Sequence, residues 1–153
     1  MTLTVERSRI VDAPLSLVWE IVSDLDTYHQ HTNTLTETTV ISGEGRGATR
    51  RCVDASGNSW EETCTIWEPE QRYAIDVDVS TYPTKYRMLF RTFKGTWNVE
   101  PAGGQTRVTI RFDVGLRRIP GAAMLVDKLA KRSRSDLDAI LDSYAQTATA
   151  RPQ

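Results

Sequence analysis

The chain has 153 residues, with 19 basic and 20 acidic side chains and a formal net charge of −1 at pH 7. Charges that nearly cancel create no global field to draw in nucleic acid or an anionic membrane surface, and the length suits one domain burying about 70% of the surface its unfolded chain exposes. No apolar run approaches the roughly 20 residues of a membrane span, and no basic segment followed by an apolar stretch opens the chain, so a cytoplasmic protein with no nucleic-acid partner and no integral membrane association is expected.

From Leu3 to Val11, Val5, Arg7, Arg9 and Val11 alternate with Glu6, Ser8 and Ile10, which predicts a first strand at a sheet edge. Pro14 then opens a helix at the position where its missing N–H is not needed, and Leu15, Val18, Trp19 and Val22 recur on one face. A second helical turn follows through Ser23-Asp24-Leu25-Asp26-Thr27-Tyr28. From Leu35 onward β-branched and aromatic residues dominate, broken by Ser42-Gly43-Glu44-Gly45-Arg46-Gly47, Ser56-Gly57-Asn58, Glu68-Pro69-Glu70-Gln71 and Pro101-Ala102-Gly103-Gly104. Those breaks predict successive antiparallel hairpins, with six strands near residues 36–43, 47–55, 58–67, 72–80, 86–99 and 106–116.

After Arg117-Arg118-Ile119-Pro120-Gly121 the period becomes helical. Leu125, Val126, Leu129, Ala130, Ser133, Leu137, Ile140, Leu141 and Tyr144 form one stripe of a long helix, while Asp127 with Lys131 and Arg134 with Asp138 are spaced for pairing on the other side. Such a stripe has to be buried, and one face of the sheet is the only large apolar surface available. Residues 147–153 are expected to fray, leaving a single domain over 1–146.

Other chemistry is sparse. Cys52 and Cys64 have no ligand spacing and are read as free thiols on strands. His29 and His31 lie near Asp24 and Asp26, but no fixed third ligand accompanies them, and neither a metal nor a cofactor is expected. The glycines at 43, 45 and 47 separate two strands and so form a turn rather than a phosphate cradle. No Gly-x-Ser-x-Gly elbow and no His-Glu-x-x-His helix is present, which removes two common hydrolase classes.

The strand, the Ala13-Pro14 step, the helix carrying Val18-Trp19 and the following Ser23-Asp24-Leu25-Asp26 resemble the opening of the polyketide cyclase/dehydrase branch of the START and birch-pollen-allergen-like (SRPBCC) superfamily. Ser59-Trp60-Glu61-Glu62, Gly95-Thr96-Trp97-Asn98-Val99-Glu100 and Gly103-Gly104-Gln105-Thr106-Arg107-Val108 extend the likeness over nearly the whole chain. It implies an α+β helix-grip fold, in which a seven-stranded antiparallel sheet, with two short helices after its first strand, wraps around the long C-terminal helix. It also implies an internal cavity for a hydrophobic small molecule, polyketide-like, aromatic or lipid-like, in a monomer or homodimer.

Strand alternation on that template places Trp60, Glu62, Cys64 and Ile66 inward on the fourth strand, Arg91, Phe93 and Trp97 on the sixth and Ile110 on the last. Tyr28, Leu35, Val126, Ala130, Ser133 and Leu137 close the space from the helical side. The inward arginine and the tyrosine by which the family's aromatase/cyclases orient and protonate a polyketide match Ile66 and Leu35 here, neither of which donates a proton. Ligand binding is therefore the first expectation and an aromatase/cyclase or dehydratase the alternative. Glu62 is the candidate acid, set against a hydrated carboxylate or one paired with Arg91.

Overall fold

A computed structural model describes residues 1–151. Seven strands form one antiparallel sheet: β1 (Thr2–Val11), β2 (Leu35–Ser42), β3 (Thr49–Asp54), β4 (Ser59–Glu68), β5 (Arg72–Val77), β6 (Phe90–Ala102) and β7 (Gln105–Leu116). Their order is β1-β7-β6-β5-β4-β3-β2, a meander from β2 to β7 to which the first strand is added last. Three helices complete the chain: α1 (Leu15–Val22), α2 (Thr84–Arg87) and α3 (Ala122–Ala150), with a further helical turn at Tyr28–Gln30. The helix-grip arrangement expected from the sequence is the one observed.

Strand β1 shows how the long helix is held. Leu3, Val5 and Val11 are buried, while Arg7 and Arg9, on the same strand face, pair with Asp138 and Asp142 of α3. Asp138 therefore serves β1 rather than the intrahelical Arg134 partner that its spacing suggests, whereas Asp127 and Lys131 do pair, at 3.3 Å. Helix α1 is fixed at both ends: Thr106 Oγ1 donates to the Ala13 carbonyl at 2.9 Å, and the Tyr73 hydroxyl donates to the Val22 carbonyl at 2.7 Å. Wedged between α3 and the sheet, α1 buries Val18, Ile21 and Val22, and the expected face shifts so that Leu15 and Trp19 are only half-buried.

Three departures have local causes. The stretch 78–87 does not continue the strands: Asp78 accepts a hydrogen bond from the Ser80 N–H to start a turn at Val79–Thr81, and the Pro83 carbonyl accepts from Tyr86 and Arg87 to start α2. Helix α3 runs to Ala150 rather than ending at 146, because Ala148 still faces the core at 1% exposure. Pro152 and Gln153 of the expected frayed tail lie outside the described residues.

The third departure reaches the site. A bulge between Cys64 and Ile66 inserts one residue into β4, so that Cys64 pairs with Ile75 but Trp67 pairs with Tyr73. Paired residues share a face; the bulge thus turns Ile66 outward beside Ala74 and brings Trp67 inward, 5.4 Å from Trp19 between ring centroids. Replacing Trp67 by Ala is expected to cost about 2–3 kcal/mol and Ile66 by Ala about 1 kcal/mol or less, as read by urea denaturation. The reverse order would mean that the strand keeps its unbulged alternation.

Candidate functional site

The β3–β4 hairpin turns at Ser56-Gly57-Asn58 and so sets Cys52 opposite Trp60 and Arg50 opposite Glu62. All four side chains are buried on the sheet's inner face. Arg50 Nε and Nη2 donate to Glu62 Oε1 at 2.9 and 2.8 Å, Trp60 Nε1 donates to Glu62 Oε2 at 2.9 Å, and Arg50 Nη1 donates to the Leu25 carbonyl at 3.3 Å. The guanidinium also lies 4.9 Å from the centre of the Tyr28 ring. Burial opposes the charge on Arg50, but the facing Glu62 carboxylate outweighs it and holds the Arg50 pKa above its ordinary value.

Glu62 accepts three N–H bonds and, through Arg50, ties β3 and β4 to the loop after α1. Its partner is Arg50, not Arg91. Arg91 is exposed, because a register shift between Phe90 and Thr92 interrupts β6 just where alternation would have turned that side chain inward.

From this pair the contacts run in a closed circuit of rings. Trp60 meets Tyr82, then follow Phe90, Phe93, Phe112, Trp97 and Tyr28, with centroid separations of 5.2 to 6.1 Å, and Tyr28 returns to Arg50. The Trp97 indole stacks on Tyr73 at 4.9 Å and lies over Gly95, where an added Cβ would stand 2.7 Å from it. Trp97 Nε1 and the Tyr144 hydroxyl are buried with no hydrogen-bond partner among the described residues. Burial raises the Tyr144 pKa, so its hydroxyl stays a donor at neutral pH.

Near the first half of α3 several apolar side chains are only partly covered. Leu89, Phe90, Phe93 and Phe112 from the sheet side and Val126 and Leu129 from the helix border the core while remaining half-buried. Ser133 lies one turn beyond Leu129, also half-buried, and Ala130 between them is buried. A hollow of about 550 Å³ is lined by Asp76, Val77, Arg91, Phe93, Lys94, Asp113 and neighbours, so that two of the residues expected at the site, Arg91 and Phe93, border it.

Of the residues expected at the site, Tyr28, Trp60, Glu62, Phe93 and Trp97 therefore belong to one circuit, and Leu35 packs half-buried at its edge. Val126 and Ser133 are half-buried and Ala130 is buried on the first half of α3. Cys64 is buried, donating to the Ile66 carbonyl, and both cysteines are free thiols. Ile110 and Leu137 have 0% exposure and so line no space that water can enter. Ile66 and Arg91 face away. Sequence reasoning missed Arg50, Tyr82 and Phe90; reading the hairpin register outward from Ser56 would have placed Arg50 across from Glu62.

The two histidines bond to hydroxyls, His29 Nδ1 to Thr38 Oγ1 and His31 Nδ1 to Ser143 Oγ, both at 2.8 Å. Burial, partly offset by Asp24, lowers the His31 pKa below its ordinary 6.5.

The family model for "Polyketide cyclase / dehydrase and lipid transport" matches residues 2–149. No curated protein matches the sequence. Among solved structures, the ZhuI aromatase/cyclase from Streptomyces sp. R1128 aligns over 99% of this chain and 96% of its own, with 18% identity and a TM-score of 0.77. TTHA0849 from Thermus thermophilus aligns over 96% and 97%, with 24% identity and a TM-score of 0.73. Ara h 8.0201 aligns over 99% and 100%, with 10% identity and a TM-score of 0.74. At these identities the likeness establishes the fold.

Two measurements check the site. Glu62→Gln leaves Arg50 buried without its counter-charge and is expected to lose about 3–5 kcal/mol of stability, of which the double replacement Arg50→Met with Glu62→Leu restores at least half. Because His31 titrates lower folded than unfolded, its contribution is complete above pH 6.5 and declines as pH falls toward the lowered folded value. Unfolding free energy should then drop as the pH is lowered through and below 6.5, and His31→Gln should narrow that drop.

Proposed function

We propose, from the premise that this chain belongs to the polyketide cyclase/dehydrase and lipid transport family, that it binds a hydrophobic small molecule between the sheet and the first half of α3. The supporting observation is the margin of Phe90, Phe93 and Phe112 facing the same core as Val126 and Leu129, all apolar and all left half-covered by the protein itself. Carbon surface in a concave interior is stabilised by an apolar occupant. Since Glu62 is held by three donors, the interior carboxylate is not available as an acid, which favours binding over catalysis.

One observation favours the second reading, an aromatase/cyclase or dehydratase. Asp136 lies one turn after Ser133 on α3 and is half-buried, and burial raises its pKa. A carboxyl so placed is a candidate general acid.

An environment-sensitive apolar dye is expected to bind the folded protein with a Kd of about 1–10 μM. Ser133→Trp, which fills the proposed site, should abolish binding while circular dichroism stays unchanged. Retained binding in that variant would place the ligand elsewhere. With a poly-β-ketone and its synthase, the wild type should leave the spontaneous product pattern unchanged; one regiospecific product, lost in Asp136→Asn, would establish the enzyme instead.

A further inference from the structure

Charge on the protein surface is distributed unevenly. Arg7, Arg9, Arg72, Arg107 and Arg111 each sit in an ion pair. Around α2 and the loop from β7 into α3, by contrast, Lys85, Arg87, Arg117, Arg118 and Lys128 are all exposed and form no ion pair among the described residues. Residues 79–99 and 114–126 contain no Asp or Glu at all. The adjoining acids are Asp127, which pairs with Lys131, and Asp54, which accepts from the Tyr86 hydroxyl, so five unpaired cations leave this end of a chain of net charge −1 with a local excess of positive charge.

The same end carries the two most exposed large apolar side chains among the described residues. Met124 is 79% and Met88 68% exposed, and Ile119 is exposed as well. The two segments are one surface: the Arg117 N–H donates to the Leu89 carbonyl at 2.9 Å, Arg117 Nε donates to the Arg87 carbonyl at 2.8 Å, and Thr84, Arg87, Met88 and Arg117 line a common hollow. Ile119 is joined to the start of α3 by the Ala122 N–H, which donates to its carbonyl.

We propose that this end docks on the surface of an anionic phospholipid bilayer, with Met88, Ile119 and Met124 entering the headgroup boundary and the surrounding cations meeting lipid phosphates. Protruding flexible apolar tips ringed by unneutralised cations match both properties of such a surface, an apolar layer beneath negative charge. The partly covered Leu89, Phe90, Val126 and Leu129 adjoin these segments in sequence, so docking places the proposed binding site next to the bilayer.

The test is co-sedimentation of the full chain with vesicles of phosphatidylcholine alone and of phosphatidylcholine with about one-third phosphatidylglycerol, at about 0.1 M salt. Binding is expected to the anionic vesicles only and to weaken as salt is raised. Met88→Ser with Met124→Ser should lower the partition coefficient about tenfold, and Arg118→Glu with Lys128→Glu more than tenfold, each cation near an anionic surface being worth about fivefold. All four side chains are exposed, and circular dichroism verifies that the variants fold. Absence of binding to anionic vesicles, or binding unchanged in both double variants, overturns the proposal, as does retention on a polyglutamate matrix without vesicle binding, which would assign the surface to an acidic protein. No ligand enters the experiment, so its failure leaves the cavity reading standing.

Discussion

A single helix about 10 Å across cannot cover seven strands spaced about 4.8 Å apart. The rest of the structure follows from that mismatch. Helix α3 packs chiefly on β1 and α1, leaving the inner face of β3 to β6 to find other cover. Part of it is covered by its own aromatic side chains, which lie over one another in a circuit instead of meeting a second layer of secondary structure. Part is left half-covered, at Phe90, Phe93 and Phe112.

The buried ion pair belongs to the same solution. An arginine on β3 can stay inside only when its charge is met, and the hairpin register supplies Glu62 directly across the ladder. Trp60 occupies the second carboxylate oxygen and the Leu25 carbonyl takes another guanidinium N–H. Replacing water so completely fixes the relative positions of β3, β4 and the segment after α1, which is also the segment that delivers Tyr28. Polar satisfaction here sets geometry more than it adds stability.

Periodicity carried most of the architecture because it reports which face of an element meets carbon. The alternation of β1 and the helical stripe through Leu137, Ile140, Leu141 and Tyr144 needed no tertiary information. The site was less legible, since its composition turns on two single-residue insertions. At Thr65 and Arg91 the backbone departs from strict alternation, and neither position carries a glycine or proline to announce it. Each slip exchanges inward and outward residues on one side of the bulge, which is why Trp67 and Phe90 entered and Ile66 and Arg91 left. Arg50 escaped notice for another reason: a charged residue on a strand reads as solvent-facing until its partner across the hairpin is identified. The helical turns between 79 and 87 depended on Asp78 and Pro83 overriding β-branched neighbours, a contest that local propensity does not decide.

The placement of β1 has a consequence for biosynthesis. This strand leaves the ribosome before the other six, yet its ladder partner β7 is made about 100 residues later, and the aspartates of α3 that neutralise Arg7 and Arg9 come later still. At about 5–20 residues per second, the nascent segment waits on the order of 5–20 s with its apolar face unpaired. The strands from β2 onward zip by local hairpins in the meantime, so closure of the sheet by its own beginning is the last and most non-local event of folding. Polar Thr4, Glu6 and Ser8, interleaved with Arg7 and Arg9, keep that waiting segment from being a continuous apolar ribbon, and so less inclined to pair with the wrong edge.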